Sequence, residues 1–235
     1  MKLFNDFIFI IPARKGSKGI KNKNIIDVCS KPLIAYSIEQ GLALKELNLV
    51  DKVIVSTDCQ DIANVAIRYG ADVPFLRPKD IANDRAKSID FYLHAIEFFE
   101  QKSVFFDAIL LLQPTSPMRR IETLIDAIKI FKSTKKDSLI SVYKEDYINE
   151  LVMYTTSDGK KLIPLNNDHN KGVRRQEHKH VLVRNGAIYL SKIHYLKSNK
   201  RIISDNPLFI KMRKNDSINI DTVDDLELVR KLLCK

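Results

Sequence analysis

The residues best equipped for chemistry stand early in the chain, in Ile11-Pro12-Ala13-Arg14-Lys15-Gly16-Ser17-Lys18-Gly19-Ile20-Lys21-Asn22-Lys23-Asn24. Arg14, Lys15, Lys18, Lys21 and Lys23 supply enough positive charge to offset a triphosphate. Gly16 and Gly19 allow a tight turn and a close backbone approach to a ligand. Backbone N–H groups in such a loop can surround phosphate oxygens. The spacing matches neither a Walker A loop nor a dinucleotide Gly-x-Gly-x-x-Gly. A solvated basic turn is the competing reading. Glycine and basic residues placed directly after the apolar run Phe7–Ile11 favour phosphate binding.

Three further segments carry polar groups at element ends. Leu76-Arg77-Pro78 and Asn83-Asp84-Arg85-Ala86-Lys87-Ser88 read locally as a strand exit and a helix start, with Ser88 near the cap. Gln113-Pro114-Thr115-Ser116-Pro117 is a rigid polar turn, placed to wall the same crevice. Asp221 follows Ile218-Asn219-Ile220. It could hold Mg²⁺, which takes one or two carboxylates plus substrate phosphates, or it could serve as a capping or surface residue. Both readings stay open on local grounds. His94, His169, His178, His180 and His194 form no metal pattern, and none is assigned a catalytic role.

These residues need a scaffold, and the pattern supplies one. Short apolar runs alternate with amphipathic stretches of helical length, the signature of an α/β fold with a mainly parallel sheet flanked by helices. Strands are expected at Phe7–Ile11, Lys52–Ser56, Val73–Leu76, Asp107–Leu112, Ser138–Tyr143 and Ser217–Ile220. Helices are expected from about Ser30 or Lys31 with Pro32 in the first turn, from Gln60 to a stop at Gly70, and over Ser88–Glu100, Ile121–Phe131 and Thr222–Leu233. Thr222 and Asp225 stand in capping-box spacing. The rhythm changes near 144, where Leu151–Tyr154 and Lys161–Leu165 flank the hairpin signal Thr156-Ser157-Asp158-Gly159, and it resumes at Gly186–Leu190. The expected organisation is a core of residues 1–143 plus 184–235, interrupted by an inserted arm at 144–183.

Composition narrows the partners. With 235 residues, 45% of them hydrophobic, the chain suits one domain with a modest appendage. No apolar run approaches the ~20 residues needed to span a bilayer, and the first apolar run reads as a buried strand rather than a signal peptide. The net charge of +10 attracts anions, and the basic residues are dispersed enough to favour small anionic substrates over nucleic acid. Cys29, Cys59 and Cys234 show no metal spacing and no disulfide framework, which fits a reducing, cytoplasmic setting.

Taken in order, these segments resemble the acylneuraminate cytidylyltransferases, or CMP-sialic acid synthetases, with their CMP-legionaminic and CMP-pseudaminic acid relatives. The resemblance runs through IPARKGSKGIKNKNI at 11–25, KPLIAYSI at 31–38, VIVSTD at 53–58, RPKDIANDRAKS at 77–88, LLQPTSPMRR at 111–120, RRQ at 174–176, RNGAIYL at 184–190 and SINIDTVDDL at 217–226. It implies a mononucleotide-binding fold like that of the nucleotide-diphospho-sugar transferases and a homodimer joined by a dimerisation arm at 144–183. It also implies Mg²⁺-dependent transfer of CMP from CTP to an acidic nine-carbon sugar. By this likeness Arg14, Ser17, Lys18, Lys23 and Asn24 would bind the triphosphate, with Arg14 and Lys23 stabilising charge on the transferring phosphate. Arg77, Ala86 and Ser88 would flank the cytosine, and Gln113, Arg175 and Tyr189 would face the sugar. Asp221 and Asn219 would stand at the metal. The family's Ile-Asp-Ile-Asp here reads Ile218-Asn219-Ile220-Asp221, with one negative charge lost. Ile202-Ile203 stand where sialic-acid enzymes often carry aromatics, which leaves the sugar open among sialic, legionaminic and pseudaminic acids. Transfer to Kdo is the alternative within the class. Outside it stands a non-catalytic polyanion binder, supported by net charge alone.

Overall fold

The structure, a computed structural model, describes residues 7–16, 19–172 and 181–234. Its centre is three parallel strands, β1 (Phe7–Pro12), β4 (Lys52–Ser56) and β5 (Ala108–Leu112), with β1 between the other two. Their apolar runs are buried on both faces, as parallel strands under helices must be. Alternation divides the core. Phe9, Ile11, Val53, Val55, Leu110 and Leu112 face one way and Ile8, Ile10, Ile54, Ile109 and Leu111 the other. The first set packs on α1 (Leu33–Glu46), α2 (Gln60–Arg68) and α4 (Ile121–Lys132), and the second on α3 (Ser88–Glu100) and α5 (Ile193–Asn199). Gly41 lets α1 lie close to the sheet, since a Cβ there would stand 2.9 Å from both Phe9 and Val53.

β6 (Ser138–Glu145), β9 (Val181–Lys192) and β10 (Leu208–Met212) complete a six-stranded sheet in the order β10-β6-β9-β5-β1-β4. β9 runs antiparallel to both neighbours, so the sheet is mainly parallel with one reversed strand. Within β9 the register breaks. Tyr189 pairs with Ile140, yet Arg184 pairs with Val142, so residues 185–188 bulge opposite Ser141. Gly186, at φ +74°, takes the left-handed position in that bulge.

Several expectations are corrected. The first helix starts at Leu33, with Pro32 at its N-cap. The residues before it form a small hairpin, β2 (Asp27–Val28) with β3 (Lys31–Pro32), whose turn residues Cys29 and Ser30 both have positive φ. That is the two-residue hairpin geometry, here made without glycine. Val73–Leu76 does not form a strand: isolated bridges flank it, Asp72 to Ile54 and Leu76 to Thr57. Ser217–Ile220 is not a strand: Asn215–Ser217 is a 3₁₀ turn, and Ile220 N–H donates to Thr115 O across 2.7 Å. The exposed alternation of β10 and the short α5 were not anticipated. α6 (Val223–Leu233) matches expectation, with the Thr222–Asp225 capping box in place. Between β6 and β9 lies the short hairpin of β7 (Tyr154–Thr155) and β8 (Ile163–Pro164). Tyr147, Leu162 and Leu165 there are exposed.

The cysteine reading is also corrected. Cys29 and Cys234 form a disulfide, with Cα atoms 5.3 Å apart, while Cys59 is buried and free. A separation of 205 residues hid the pair in the sequence. It closes one side of a small core of Ile20, Val28, Leu33, Ile220, Leu226 and Val229, which seats the first loop against α6. Among the described residues, no helix is long and apolar enough to cross a membrane.

Candidate functional site

Three adjoining hollows open at the carboxyl ends of β1 and β5, where ligands bind in open α/β sheets. All three share Pro12, the last residue of β1. The largest, about 450 Å³, is lined by Arg14, Gly16, Gly19, Lys23 and Asn24 on one side, by Gln113–Thr115 on another, and by Asp221. The loop is anchored rather than solvated. A Cβ on Gly19 would overlap the Asp221 carbonyl oxygen. Buried Asn24 donates from Nδ2 to Arg14 O (2.9 Å). Lys15 N–H donates to Asp58 Oδ1 (2.8 Å).

Each described cation assigned to the phosphate stands on a carboxylate. Arg14 pairs with Asp84 (2.6 Å) and Lys23 with Asp221 Oδ1 (2.9 Å), and Lys23 also donates to Ile220 O (2.8 Å). The Lys23 side chain is 12% exposed, so its charge is held at the wall rather than in open water. Asn219 stands beside it, donating from Nδ2 to Asp221 Oδ2 (2.6 Å) while its own Oδ1 accepts from Ser116 Oγ (3.4 Å). The amide thus orients Asp221. Among the described residues, no three His, Cys, Asp or Glu side chains gather as a metal site. One exposed carboxylate at the cleft edge fits a divalent ion held mostly by substrate phosphates.

The third hollow, about 270 Å³, joins the first at Arg14 and is lined by Arg77, Asn83, Ala86 and Ser88. Arg77 is 5% exposed. Its guanidinium donates to Ser56 O (2.6 Å) and Ser56 Oγ (3.1 Å) and lies over the Phe91 ring at 4.7 Å. Burial first, and Arg14 second, pull its pKa down to about 10, against Asp58. Arg77 is therefore a wall element whose guanidinium donors are taken up by Ser56 at the end of β4. Asn83 Oδ1 accepts from Ala86 N–H (3.0 Å), which shapes the turn before α3.

The second hollow, about 230 Å³, meets the first at Gln113 and the third at Ser88 and Phe91. Tyr92, Arg184, Tyr189, Ile202 and Ile203 also line it. On a regular strand Arg184 and Tyr189, an odd number of residues apart, would face opposite sides. The bulge at 185–188 brings both to one hollow, so Arg184 joins the site although its motif alone did not single it out.

Arg119 was also missed. It is 4% exposed and, among the described residues, has no carboxylate partner. It donates to Gln113 O (2.8 Å), Ala187 O (3.3 Å), Ser37 Oγ (2.5 Å) and Gln40 Oε1 (3.1 Å), and burial lowers its pKa to about 9. It thereby ties the Gln113 turn and the β9 bulge to α1. The signal was an arginine two residues past a proline turn, which sequence cannot separate from a surface charge. Of the residues singled out from the sequence, the structure brings Arg14, Lys23, Asn24, Arg77, Ala86, Ser88, Gln113, Tyr189, Asn219 and Asp221 together. Ser17, Lys18 and Arg175 lie outside the described residues.

A family profile described as cytidylyltransferase matches residues 8–233. A CMP-N,N'-diacetyllegionaminic acid synthase of Legionella pneumophila is 37% identical over 95% of this chain and 94% of its own length. An N-acylneuraminate cytidylyltransferase of Escherichia coli is 35% identical over 94% of this chain and 50% of that longer protein. A pseudaminic acid cytidylyltransferase of Campylobacter jejuni is 31% identical over 94% and 93%. Among solved structures, a CMP:2-keto-3-deoxy-manno-octonic acid synthetase complexed with CTP aligns with a TM-score of 0.70 at 19% identity, covering 97% of this chain and 98% of its own. A 4-diphosphocytidyl-2C-methyl-D-erythritol synthase from Anaerococcus prevotii gives 0.62 at 12%, covering 98% and 99%. At those identities the likeness shows the fold alone. The match over nearly the whole chain and the relatives above 30% place this protein in the cytidylyltransferase family of nucleotidyltransferases.

Proposed function

We propose that the protein transfers CMP from CTP to the anomeric hydroxyl of a sialic-acid-like nonulosonic acid and releases pyrophosphate. The observation that carries this reading is the meeting of the three hollows at Pro12, with the basic hollow adjoining the other two. The triphosphate lies along Arg14–Asn24, with Ser17 and Lys18 completing the grip. The cytosine rests against Arg77, Ala86 and Ser88. The sugar sits with Gln113, Tyr189 and Arg184, and Arg184 offers its carboxylate a guanidinium. The α-phosphorus then lies near Gln113, within reach of a hydroxyl from the sugar side. As the new P–O bond forms, the bond from the α-phosphorus to the bridging oxygen breaks; pyrophosphate leaves with that electron pair, and the hydroxyl proton passes to solvent.

Phosphoryl-type transfer depends on positioning and charge neutralisation more than on a covalent nucleophile. Arg14 and Lys23 serve that need, and their carboxylate partners keep them extended before the nucleotide arrives. Mg²⁺, held by Asp221 with Asn219 beside it, would neutralise phosphate charge. We further assign the segment between β6 and β9, the greater part of the 144–183 insertion, as an arm of a homodimer, and Arg175 as a further sugar-binding residue. The exposed Tyr147, Leu162 and Leu165 support that assignment, and a monomeric sedimentation coefficient would remove it. We assign the protein to the cytoplasm, where CTP is available to it.

The test is pyrophosphate release with CTP, Mg²⁺ and a panel of sialic, legionaminic and pseudaminic acids and Kdo. Release with a nonulosonic acid is expected. Release with Kdo alone would move the acceptor to an eight-carbon acid, and no release with any of them would defeat the proposal. In the same assay Asp221→Ala is expected to raise the Mg²⁺ requirement, and Asn219→Asp to lower it. If neither substitution shifts the magnesium titration, the metal is held elsewhere.

A further inference from the structure

The bond between Cys29 and Cys234 joins the turn of the β2–β3 hairpin to the residue after α6. The turn itself gives no reason for a cysteine. Cys29 and Ser30 take φ values of +54° and +65°, left-handed positions that glycine or asparagine adopts more easily. What Cys29 adds is its sulfur. The bond is also within reach of solution, since Cys234 is exposed and Cys29 half-buried. Exposed disulfides are the ones that exchange with small thiols.

The position of the bond gives that exchange a consequence. Of the α6 side chains, Leu226 and Val229 are buried. Arg230 adds a hydrogen bond to Asp27 O (2.6 Å), again on the hairpin. So thin an attachment makes one covalent link a large part of what seats the helix. At eleven residues, α6 is a rod about 16 Å long. Cys234 follows its far end. Asp221, which pairs with Lys23 and lines the first hollow, stands just before its capping residue at the near end. Opening the link lets α6 leave its seat more often, and Asp221 leaves the cleft with it.

We propose that Cys29 and Cys234 form a reversible thiol–disulfide clasp that couples the redox poise of small thiols to nucleotide binding in the first hollow. Closed, the clasp holds Asp221 and Lys23 in place; open, CTP binds more weakly. In opening, a glutathione thiolate attacks the Cys234 sulfur, and Cys29 leaves as a thiolate and takes a proton. A second glutathione thiolate attacks the glutathione sulfur of the mixed disulfide and frees Cys234 as a thiol. Two glutathiones thus give up two electrons and become oxidised glutathione, while the protein gains two thiols. This rests on the reading that CTP occupies the first hollow.

The experiment equilibrates the whole protein in buffers of stepped reduced-to-oxidised glutathione ratio, with and without saturating CTP and Mg²⁺ and with no sugar acceptor. Alkylation followed by mass measurement reads the closed fraction, and calorimetry reads the CTP Kd of the oxidised and reduced forms. Reduction is expected to raise the Kd about 5-fold, and CTP to shift the glutathione equilibrium toward the closed form by the same factor, because coupling is reciprocal. A disulfide that only stabilised the fold would lower the melting temperature on reduction and leave both of those readouts unmoved, which would overturn the inference. Cys234→Ser is expected to bind CTP as the reduced parent does at every ratio. Cys29→Gly, which suits the left-handed turn, supplies the same test if Cys234→Ser folds poorly. A glutathione response that persists in these variants, or alkylation of both cysteines at every ratio in the parent, would also overturn the inference while leaving the functional reading intact. Absence of CTP binding in both forms would remove the functional reading together with it.

Discussion

At the scale of single residues, the site is built from pairs. Arg14 is held by Asp84 and Lys23 by Asp221, so a triphosphate that enters competes with carboxylates for both cations. Such pairs are partly exposed and add little to stability, but they fix where the positive charge stands. Arg14→Ala is therefore expected to lower kcat about 10²–10³-fold, the usual loss when a preorganised charge partner is removed, with a melting curve close to the parent's. Near-normal turnover would exclude Arg14 from the reacting phosphate. The sequence showed the cations but not their partners. Asp84 lies in a segment that reads as a plain helix start, and Asn24 looks like a ligand group although its side chain braces Arg14. Arg119 was invisible for a different reason. Its meaning comes from burial and from unusual partners, and spacing carries neither.

At the scale of elements, the positions that matter most are those where a regular pattern is broken. The β9 bulge brings Arg184 and Tyr189 to one hollow, and Arg119 holds that bulge and the Gln113 turn in one frame. Arg119→Met is expected to keep a folded protein and to raise the sugar KM more than the CTP KM. Arg119→Lys should recover only part of the loss, because one ammonium cannot span the forked set of acceptors. Equal loss on both substrates would mean general damage to the fold. At α6, Asp225 accepts from the N–H groups of Thr222 and Asp221, and those bonds, Thr222's first, hold its carboxyl below the ordinary 3.8. A depressed acid stabilises the fold above its unfolded pKa, and that contribution is lost as pH falls through the folded one. Asp225→Asn should thus cost about 0.5–1 kcal/mol near neutral pH, with the gap from the parent closing below about pH 4. A gap independent of pH would contradict the assigned cause. Long elements with a clear period were legible, as Ser88–Glu100 and Ile121–Phe131 show. Short or half-exposed ones were not: the exposed Phe209 hides the alternation of β10, and the Cys29-Ser30 turn lacks the glycine that usually announces it.

At the scale of the whole molecule, the chain order was readable but the closure was not. Alternating strands and helices gave the layered α/β arrangement, because buried parallel strands must be apolar throughout. The disulfide between Cys29 and Cys234 and the bond from Ile220 N–H to Thr115 O join residues far apart in the chain, and no local pattern encodes them. Those closures bring Asp221 to the first loop, and so place a carboxylate, two cations and the Gln113 turn around one cleft. The central claim is that this cleft moves a cytidylyl group onto a sugar acid. CTP labelled at its α-phosphorus, incubated with the protein and a nonulosonic acid, tests that most directly. The label is predicted to appear in a CMP-sugar, in amounts equal to the pyrophosphate released. Label left in CTP, or released as free CMP with no sugar attached, would contradict it.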